Sequence, residues 1–227
     1  MTSSVTLPAA DITAGPVRNS TRFGLAFTVC QLLVMIAMAV FVLPHAGSPS
    51  DPALERGQGV QEAAELYRVG NFVFMAAGSL LLGFLGAVWA RLRRADSSGV
   101  LATVAVGSGI LLALIWPMAA MLHEVALETA AAGTDLRILA GWDSVAPFSL
   151  AFSVFARVFF IGAIALGLRA TGTAPWLVRS AGVLILLSLF GSATVVSGAM
   201  FPLLALSTLG YELWVGALAW HWLRDGR

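Results

Sequence analysis

Six apolar runs, each about 20 residues long, follow one another between residues 23 and 223 and constrain the fold more than any other feature. The runs lie at about residues 23–43, 70–92, 100–122, 146–168, 176–196 and 203–223. A run of about 20 apolar residues crosses a bilayer as a helix, because a helix satisfies its backbone hydrogen bonds within the segment. Composition agrees: 59% of the residues are hydrophobic and 11% are charged, against about a quarter charged in soluble domains. The sequence therefore predicts an all-α, polytopic integral membrane bundle of six transmembrane helices.

The first 22 residues differ from the rest of the chain, because they are polar and small and lack an apolar run. Such a composition is typical of a disordered segment and does not fit the apolar core of a signal peptide. We therefore expect a disordered cytoplasmic tail over residues 1–22 and a single six-helix transmembrane domain over residues 23–224.

Two of the connections between spans carry structural signals. Asp51 and Pro52 form a helix-start signal, which predicts a short surface helix that leads into the second span. The helix of the third span is expected to continue past the membrane to Gly133. Residues 134–144 are predicted to form a polar loop.

The arginines alternate in density from one connection to the next, which predicts the orientation of the chain. Three lie in the connections after the first and third spans. Nine lie in the tail, beside the connections after the second and fourth spans and at the C-terminus: Arg18, Arg22, Arg91, Arg93, Arg94, Arg169, Arg179, Arg224 and Arg227. Both termini are therefore predicted to be cytoplasmic. All 13 basic residues are arginine, as is typical of a GC-rich bacterium, so we expect the bacterial plasma (inner) membrane. The net charge of +1 argues against a nucleic-acid partner.

The sixth apolar run carries an acidic residue, Glu212, near its middle. An ionisable residue at the centre of a membrane helix costs about 3 kcal/mol on insertion scales, so it normally faces protein or water and marks a site. Arg157 of the fourth run lies at a matching depth, since the two residues are about 16 and 15 Å from the outer ends of their spans. We expect the two to form an intramembrane pair at the floor of an outward-facing cavity. Alternatively, such a pair only fixes the register of the helices.

Polar and aromatic side chains extend from both charges at helical spacing. Serines precede Arg157 by four and eight residues, and Thr208 precedes Glu212 by four. We expect these stripes to converge on one cavity, with Gln31 as a further lining group and aromatic residues as a wall for an apolar or cationic guest. The candidate ligand-binding residues are Glu212, Arg157, Tyr211, Trp214, Ser153, Ser149, Thr208 and Ser192. Alternatively, the hydroxyl groups bond their own helix backbone and have a structural role.

A second polar group lies at the predicted outer rim of the bundle: His45, His123, Glu124, Glu128 and Asp143. Histidine and carboxylate groups can hold a divalent metal, but these residues lack the spacings of known zinc motifs. We therefore interpret them as solvated loop charge and expect no metal site. Cys30 is the only cysteine, which excludes a disulfide within the chain. No phosphate loop, nucleophile elbow or dinucleotide fingerprint is present in the sequence, and we expect no cofactor.

The last two spans carry a family resemblance. The segments PWLVRSAGVLILLS of the fifth span and YELWVGALAWHWLR of the sixth resemble the closing segments of a bacterial family of six-span membrane proteins of unknown function. In that family a Pro-Trp-Leu-like start to the fifth span recurs, as does a Glu followed by Leu, Ala and Trp in the sixth. The resemblance implies the six-span architecture and singles out Glu212.

Three classes of function fit this sequence. The first is binding or transport of a small, apolar or amphiphilic molecule in the outward-facing cavity, with the lipid bilayer and that molecule as partners. The second is a membrane-embedded, acid-catalysed isoprenoid (terpene) cyclase, since the chain resembles small bacterial and fungal membrane-bound cyclases in size and in its intramembrane acid. Glu212 would then be the catalytic proton donor, and Tyr211, Trp214 and the phenylalanines of the fourth span would line the cavity. The third is a structural or partner subunit without a ligand.

Overall fold

The computed structural model of the chain describes residues 14–37, 39, 40, 44, 51–133 and 135–225. These residues form the helices α1 (Ala14–Ala37), α2 (Ala53–Glu62), α3 (Ala64–Ala95), α4 (Val100–Ala131), α5 (Leu136–Asp143), α6 (Val145–Ala170), α7 (Pro175–Gly191) and α8 (Phe201–Asp225). Two 3-10 turns, Ser192–Val195 and Gly198–Met200, connect α7 to α8. The predicted all-α fold is confirmed, since this part of the chain contains no strand.

Six helical segments of the described chain are long and apolar enough to cross a membrane: Gly15–Ala37, Ala64–Ala95, Val100–Ala131, Leu136–Ala170, Pro175–Val195 and Gly198–Asp225. Each overlaps one of the six predicted spans, so the architecture of six apolar helices is confirmed. Large apolar side chains cover the outside of the bundle, among them Phe72 and Phe152, each 71% exposed. Such a surface is unfavourable in water and suits contact with lipid. The orientation of the termini stays a prediction; residues 1–13, and residues 38 and 41–43 of the predicted first span, lie outside the described residues.

The first helix begins at Ala14, so the prediction of a disordered tail over residues 1–22 is wrong from Ala14 onwards. Pro16 lies in the first turn, where a proline removes no hydrogen bond of the helix. Ser20 then anchors α1 to α3, because its hydroxyl donates to the Gly83 carbonyl (2.5 Å) and accepts from a backbone N–H one turn later (2.7 Å). This long-range contact orders a stretch whose composition alone indicates disorder.

Short helices flank the long ones at one end of the bundle. As predicted, a short helix, α2, follows Pro52 and leads into α3, and α4 extends well beyond the predicted span. The prediction of a polar loop over residues 134–144 is wrong, because most of this stretch forms α5. The Asp135 side chain caps α5 by accepting a hydrogen bond from the Arg137 N–H (3.0 Å). Leu139 of α5 is buried in a small apolar cluster with α2, α3 and α4.

The six long helices form a closed ring. Each packs against its neighbours in the chain, and α1 also packs against α8. Their inward faces share one apolar core, which includes Phe27, Phe84 and Phe160. Among the described residues, however, the largest fully buried side chains are those of Arg157 and Tyr211. The centre of the ring therefore encloses a cation in otherwise apolar surroundings.

Candidate functional site

Arg157 and Glu212 lie at the same level of the bundle, as predicted. Arg157 is at the middle of the 26-residue α6, and Glu212 is at the middle of the 25-residue α8. Both are enclosed, with exposures of 1% and 0%. The structure thus places an acid and a base at the centre of the six-helix ring.

The structure does not bring the two charges into direct contact, since no ion pair within 4.0 Å joins them in the described chain. The Arg157 guanidinium instead donates to the hydroxyls of Ser153 (Nη2, 3.0 Å) and Ser207 (Nη1, 3.2 Å) and lies 5.4 Å from the Tyr211 ring centroid. Ser207 and Tyr211 are four residues apart and share the face of α8 that meets α6. Glu212 follows Tyr211 directly and is turned away from that face by about 100°.

Glu212 lies at the contact between α8 and α1. Its backbone carbonyl accepts a hydrogen bond from the Thr28 hydroxyl (2.8 Å). Both of its carboxyl oxygens are buried and have no hydrogen-bond partner among the described residues. A charged group without a partner in such surroundings is expensive, so its environment needs a physical explanation.

Gln31 is a further member of this level. Two close contacts show that α1 and α8 run antiparallel. A β-carbon built on Gly216 of α8 would lie 2.8 Å from Thr28 of α1, and one built on Gly24, a turn earlier in α1, would lie 2.9 Å from Ala219, further along α8. Gln31 follows Thr28 by three residues, so this register puts it on the same side of α1 and level with Glu212. Its side chain is 1% exposed, and its Nε2 has no partner in the described chain.

The register of α7 against α8 places Ser188 of α7 opposite Ser207, the serine that accepts from Arg157. A β-carbon on Gly191 would lie 2.8 Å from Leu204, and one on Gly210 would lie 2.6 Å from the side chain of Leu184. Ser188 lies between these two contacts and therefore opposite the middle of the stretch 204–210. Its hydroxyl is buried and has no partner among the residues described.

Unpartnered polar atoms concentrate at this level. Of ten buried side-chain nitrogen and oxygen atoms without a hydrogen bond in the described chain, six lie here: Gln31 Nε2, Arg157 Nε, Ser188 Oγ, Tyr211 OH and both carboxyl oxygens of Glu212. Buried polar groups are normally satisfied, and ionisable groups at membrane depth are normally functional. We call Gln31, Ser153, Arg157, Ser188, Ser207, Tyr211 and Glu212 the central polar cluster. It is the candidate site.

Aromatic rings close one side of this cluster. The Tyr211 ring has edge contacts with Phe27 (6.4 Å between centroids) and Phe160 (6.2 Å). Trp214 is buried, but its Nε1 donates to the Leu177 carbonyl (3.1 Å), so its indole joins α8 to α7. The aromatic wall of Tyr211 and Trp214 stays a prediction: the Tyr211 ring contacts two phenylalanines, whereas the Trp214 indole is hydrogen-bonded to α7.

Three of the predicted hydroxyl groups are used locally. Ser149 donates to the Val145 carbonyl, Thr208 to that of Leu204 and Ser192 to that of Leu189. These bonds fit the structural alternative for those residues. Ser207 is not among the residues predicted from the sequence, because this serine is four residues from Tyr211, whose face meets α6, and not four residues from Glu212.

The enclosed cluster differs from the predicted outward-facing cavity. Two cavities, of about 520 and 160 Å³, lie at the end of the bundle where α1 begins and α8 ends. Neither is lined by Arg157 or Glu212. The residues of the central polar cluster are enclosed, with exposures of 0% for Glu212 and Ser188 and 1% for Arg157.

Two of the rim residues, His123 and Asp143, belong to a largely buried network, so their interpretation as solvated loop charge is wrong. Asp143 accepts hydrogen bonds from Arg56 Nη2 (2.7 Å) and the Tyr67 hydroxyl (2.8 Å). His123 is 7% exposed, its Nε2 lies 3.6 Å from Asp143 Oδ1, and its ring is edge-on to Tyr67. Asp143 reaches this network because it is the last residue of α5, a helix that the loop prediction for residues 134–144 does not contain.

The remaining rim residues behave differently. Glu124 and Glu128 retain solvent contact and pair with Arg68 at 3.1 and 2.7 Å. His45 lies outside the described residues. Within the described chain, no group of three or more histidine, cysteine or acidic side chains is arranged to hold a metal ion.

No protein-family model matches the sequence, and no curated protein and no solved structure is significantly similar to it. The resemblance of the last two spans to a bacterial six-span family stays a prediction. The candidate site therefore depends on the geometry of the central polar cluster.

Proposed function

We propose that the chain is a multi-pass membrane protein that binds or transports a small amphiphilic molecule at the central polar cluster. One observation carries this proposal: Arg157 and Glu212 are fully buried at mid-bundle, and neither has an ionic partner among the described residues. A pair kept only to fix helix register would gain most by direct contact. Because the guanidinium and the carboxylate do not pair with each other, both are available to bind a ligand.

The chemistry of the cluster limits that molecule. The Glu212 carboxyl oxygens accept hydrogen bonds or face a cation, whereas the free Nε of Arg157 donates. The rings of Phe27, Phe160 and Tyr211 supply an apolar side. The best fit is a molecule with an apolar body and a small polar group that carries both a donor or positive charge and an acceptor or negative charge.

The connection from α7 to α8 supports exchange with an enclosed site. α7 ends at Gly191, and the chain then follows two 3-10 turns before α8 begins. Val196, between the turns, is 91% exposed. Short, exposed connections next to a buried site are typical hinge positions in proteins that open and close around a ligand.

Retention of co-purifying molecules tests the proposal. Wild type, Glu212→Gln, Arg157→Met and Ser192→Ala are extracted in a mild detergent, and their organic extracts are compared by mass spectrometry. We expect an amphiphile that the wild type and Ser192→Ala retain and that the two cluster variants retain at least about tenfold less, since each loses a charge-assisted bond. Equal retention by all four proteins would contradict the proposal.

A cyclase is the second candidate, and the aromatic rings beside the acid favour it. Glu212 would protonate an isoprenoid epoxide, and the resulting cation would face Tyr211. Four of the five phenylalanines that the cyclase interpretation requires are exposed on α6, however: Phe148, Phe152, Phe155 and Phe159. Incubation with a linear isoprenoid epoxide separates the candidates, because cyclisation gives a product of unchanged mass and new retention time, whereas a binding protein returns the substrate.

A further inference from the structure

The larger cavity is an open groove between the beginning of α1 and the end of α8. It has a volume of about 520 Å³ and is lined by Arg18, Arg22, Trp220, Leu223 and Arg224. We call it the arginine groove. Three of its five lining residues are cationic and none is acidic.

The three guanidinium groups are not neutralised within the described chain. Arg22 donates to the neutral Asn19 Oδ1 (3.2 Å), and no ion pair within 4.0 Å includes Arg18, Arg22 or Arg224. The nearby acid Asp225 lines the other cavity and lies 2.9 Å from His221 Nε2. The groove therefore concentrates positive charge with donors free for an anion.

The walls of the groove suit a ligand that is partly apolar. Trp220 is 55% exposed, and Leu223 lies beside it. Both are on the last turns of α8, at the level where tryptophan and arginine side chains typically meet lipid headgroups. Basic pockets between the ends of membrane helices are suited to anionic headgroups, and guanidinium forks match phosphate oxygens.

We propose that the arginine groove binds the headgroup of an anionic phospholipid. Its phosphate contacts the guanidinium groups of Arg18, Arg22 and Arg224, and its acyl chains follow the apolar surfaces of Trp220 and Leu223. A soluble phosphate would use the three arginines but not the apolar wall. This binding is independent of the central polar cluster.

Native mass spectrometry of the full chain tests the proposal. The protein is released from mixed micelles that contain equal amounts of phosphatidylglycerol and phosphatidylcholine. We expect the wild type to retain phosphatidylglycerol preferentially, and Arg22→Gln and Arg224→Gln each to weaken its retention about tenfold through loss of a charge-assisted contact. Arg169→Gln and Arg179→Gln are the matched controls, because both remove an exposed arginine at the same end of the bundle but outside the groove; they should retain the lipid as the wild type does.

Three results would overturn the proposal. If the controls lose phosphatidylglycerol as strongly as the groove variants, the lipid responds to diffuse charge. If phosphatidylcholine is retained equally, headgroup charge does not matter. If excess inorganic phosphate displaces the lipid from the wild type, the groove is a site for small anions. The variants should have the melting temperature of the wild type, because Arg22 and Arg224 are exposed. A variant that is destabilised is replaced by the corresponding lysine variant. Lysine keeps the positive charge but lacks the planar guanidinium that binds phosphate in bidentate fashion, so this variant should still retain less lipid.

Discussion

At the scale of single residues, the Arg157 guanidinium stands out because it is a cation that is removed from solvent. It is fully buried, and its partners are two hydroxyls and an aromatic ring rather than a carboxylate. A buried charge without an opposite charge costs free energy that an apolar side chain of similar size does not, whereas removing only its polar partners leaves the charge uncompensated. Substituting Arg157 by an apolar residue should therefore preserve or increase stability but abolish function.

Arg157→Met should leave the free energy of unfolding unchanged or raise it by about 1–4 kcal/mol, because it removes a desolvated cation. The same change should abolish retention of the amphiphile. Thermal unfolding in detergent, together with mass spectrometry of the bound molecules, measures both effects. A strong loss of stability would show that the guanidinium is compensated better than its neutral partners imply.

Ser207→Ala should cost about 1.5–3 kcal/mol in the wild type, because it removes a hydrogen bond to a buried charge. In the Arg157→Met background the same substitution should cost almost nothing. The double-mutant cycle isolates this coupling. Ser149→Ala is the control, since Ser149 bonds its own helix and its cost should be equal in both backgrounds. Equal costs for Ser207→Ala would mean that the guanidinium does not depend on this hydroxyl.

At the scale of secondary-structure elements, the rim network joins α2, α3 and α4 to the end of α5. Asp143 accepts hydrogen bonds from Arg56 and Tyr67, and His123 Nε2 lies 3.6 Å from its carboxylate. The Arg56–Asp143 pair is largely buried, with side-chain exposures of 10% and 15%. Such a pair is costly to break, because the remaining charge stays desolvated.

Asp143→Asn should therefore destabilise the protein by about 3–5 kcal/mol and loosen α2 and α5 first. Hydrogen exchange of these two helices and thermal unfolding give the readouts. Arg137→Gln is the matched control, because its pair with Asp135 is exposed and should be worth at most about 1 kcal/mol. Similar losses of stability in the two variants would contradict a stabilising role of the rim network.

The turn from α3 to α4 should confer a small dependence on pH. Asp96 accepts hydrogen bonds from the Ser98 hydroxyl (2.6 Å) and the Leu101 N–H (3.1 Å), and these bonds hold the pKa of its carboxyl below the ordinary value. The contribution to stability is therefore present above about pH 4 and is lost as the pH falls through the lowered pKa. Melting temperatures at decreasing pH should fall less for Asp96→Asn than for the wild type. Parallel curves would contradict this assignment.

At the scale of the whole molecule, the ring closes through α1 and α8, so both described ends of the chain lie at one end of the bundle. The density of arginines at this end predicts that it faces the cytoplasm. A reporter fused after Arg227 should be active only in the cytoplasm, and one inserted after Gly133 only on the other side. An external C-terminus would reverse the orientation of every span.

The sequence by itself determined the number and approximate limits of the spans and the common depth of Arg157 and Glu212. These properties follow from apolar length along one chain, because the cost of placing a segment in hydrocarbon sums over its own residues. The same reasoning predicted α2 from its start signal, but it predicted neither the helical start at Ala14 nor α5. In both cases contacts with distant helices outweigh local composition.

Only the tertiary structure decided which groups meet. The partner of a buried side chain depends on the rotation and register of its helix, which side-chain packing fixes across long separations; Thr28 and Glu212, for example, are 184 residues apart. A turn of about 100° from Tyr211 to Glu212 is enough to give Arg157 a ring and two hydroxyls instead of a carboxylate. Spacing along the sequence fixes the depth of a residue in the membrane, whereas the packing of the helices in the ring fixes the direction in which its side chain points.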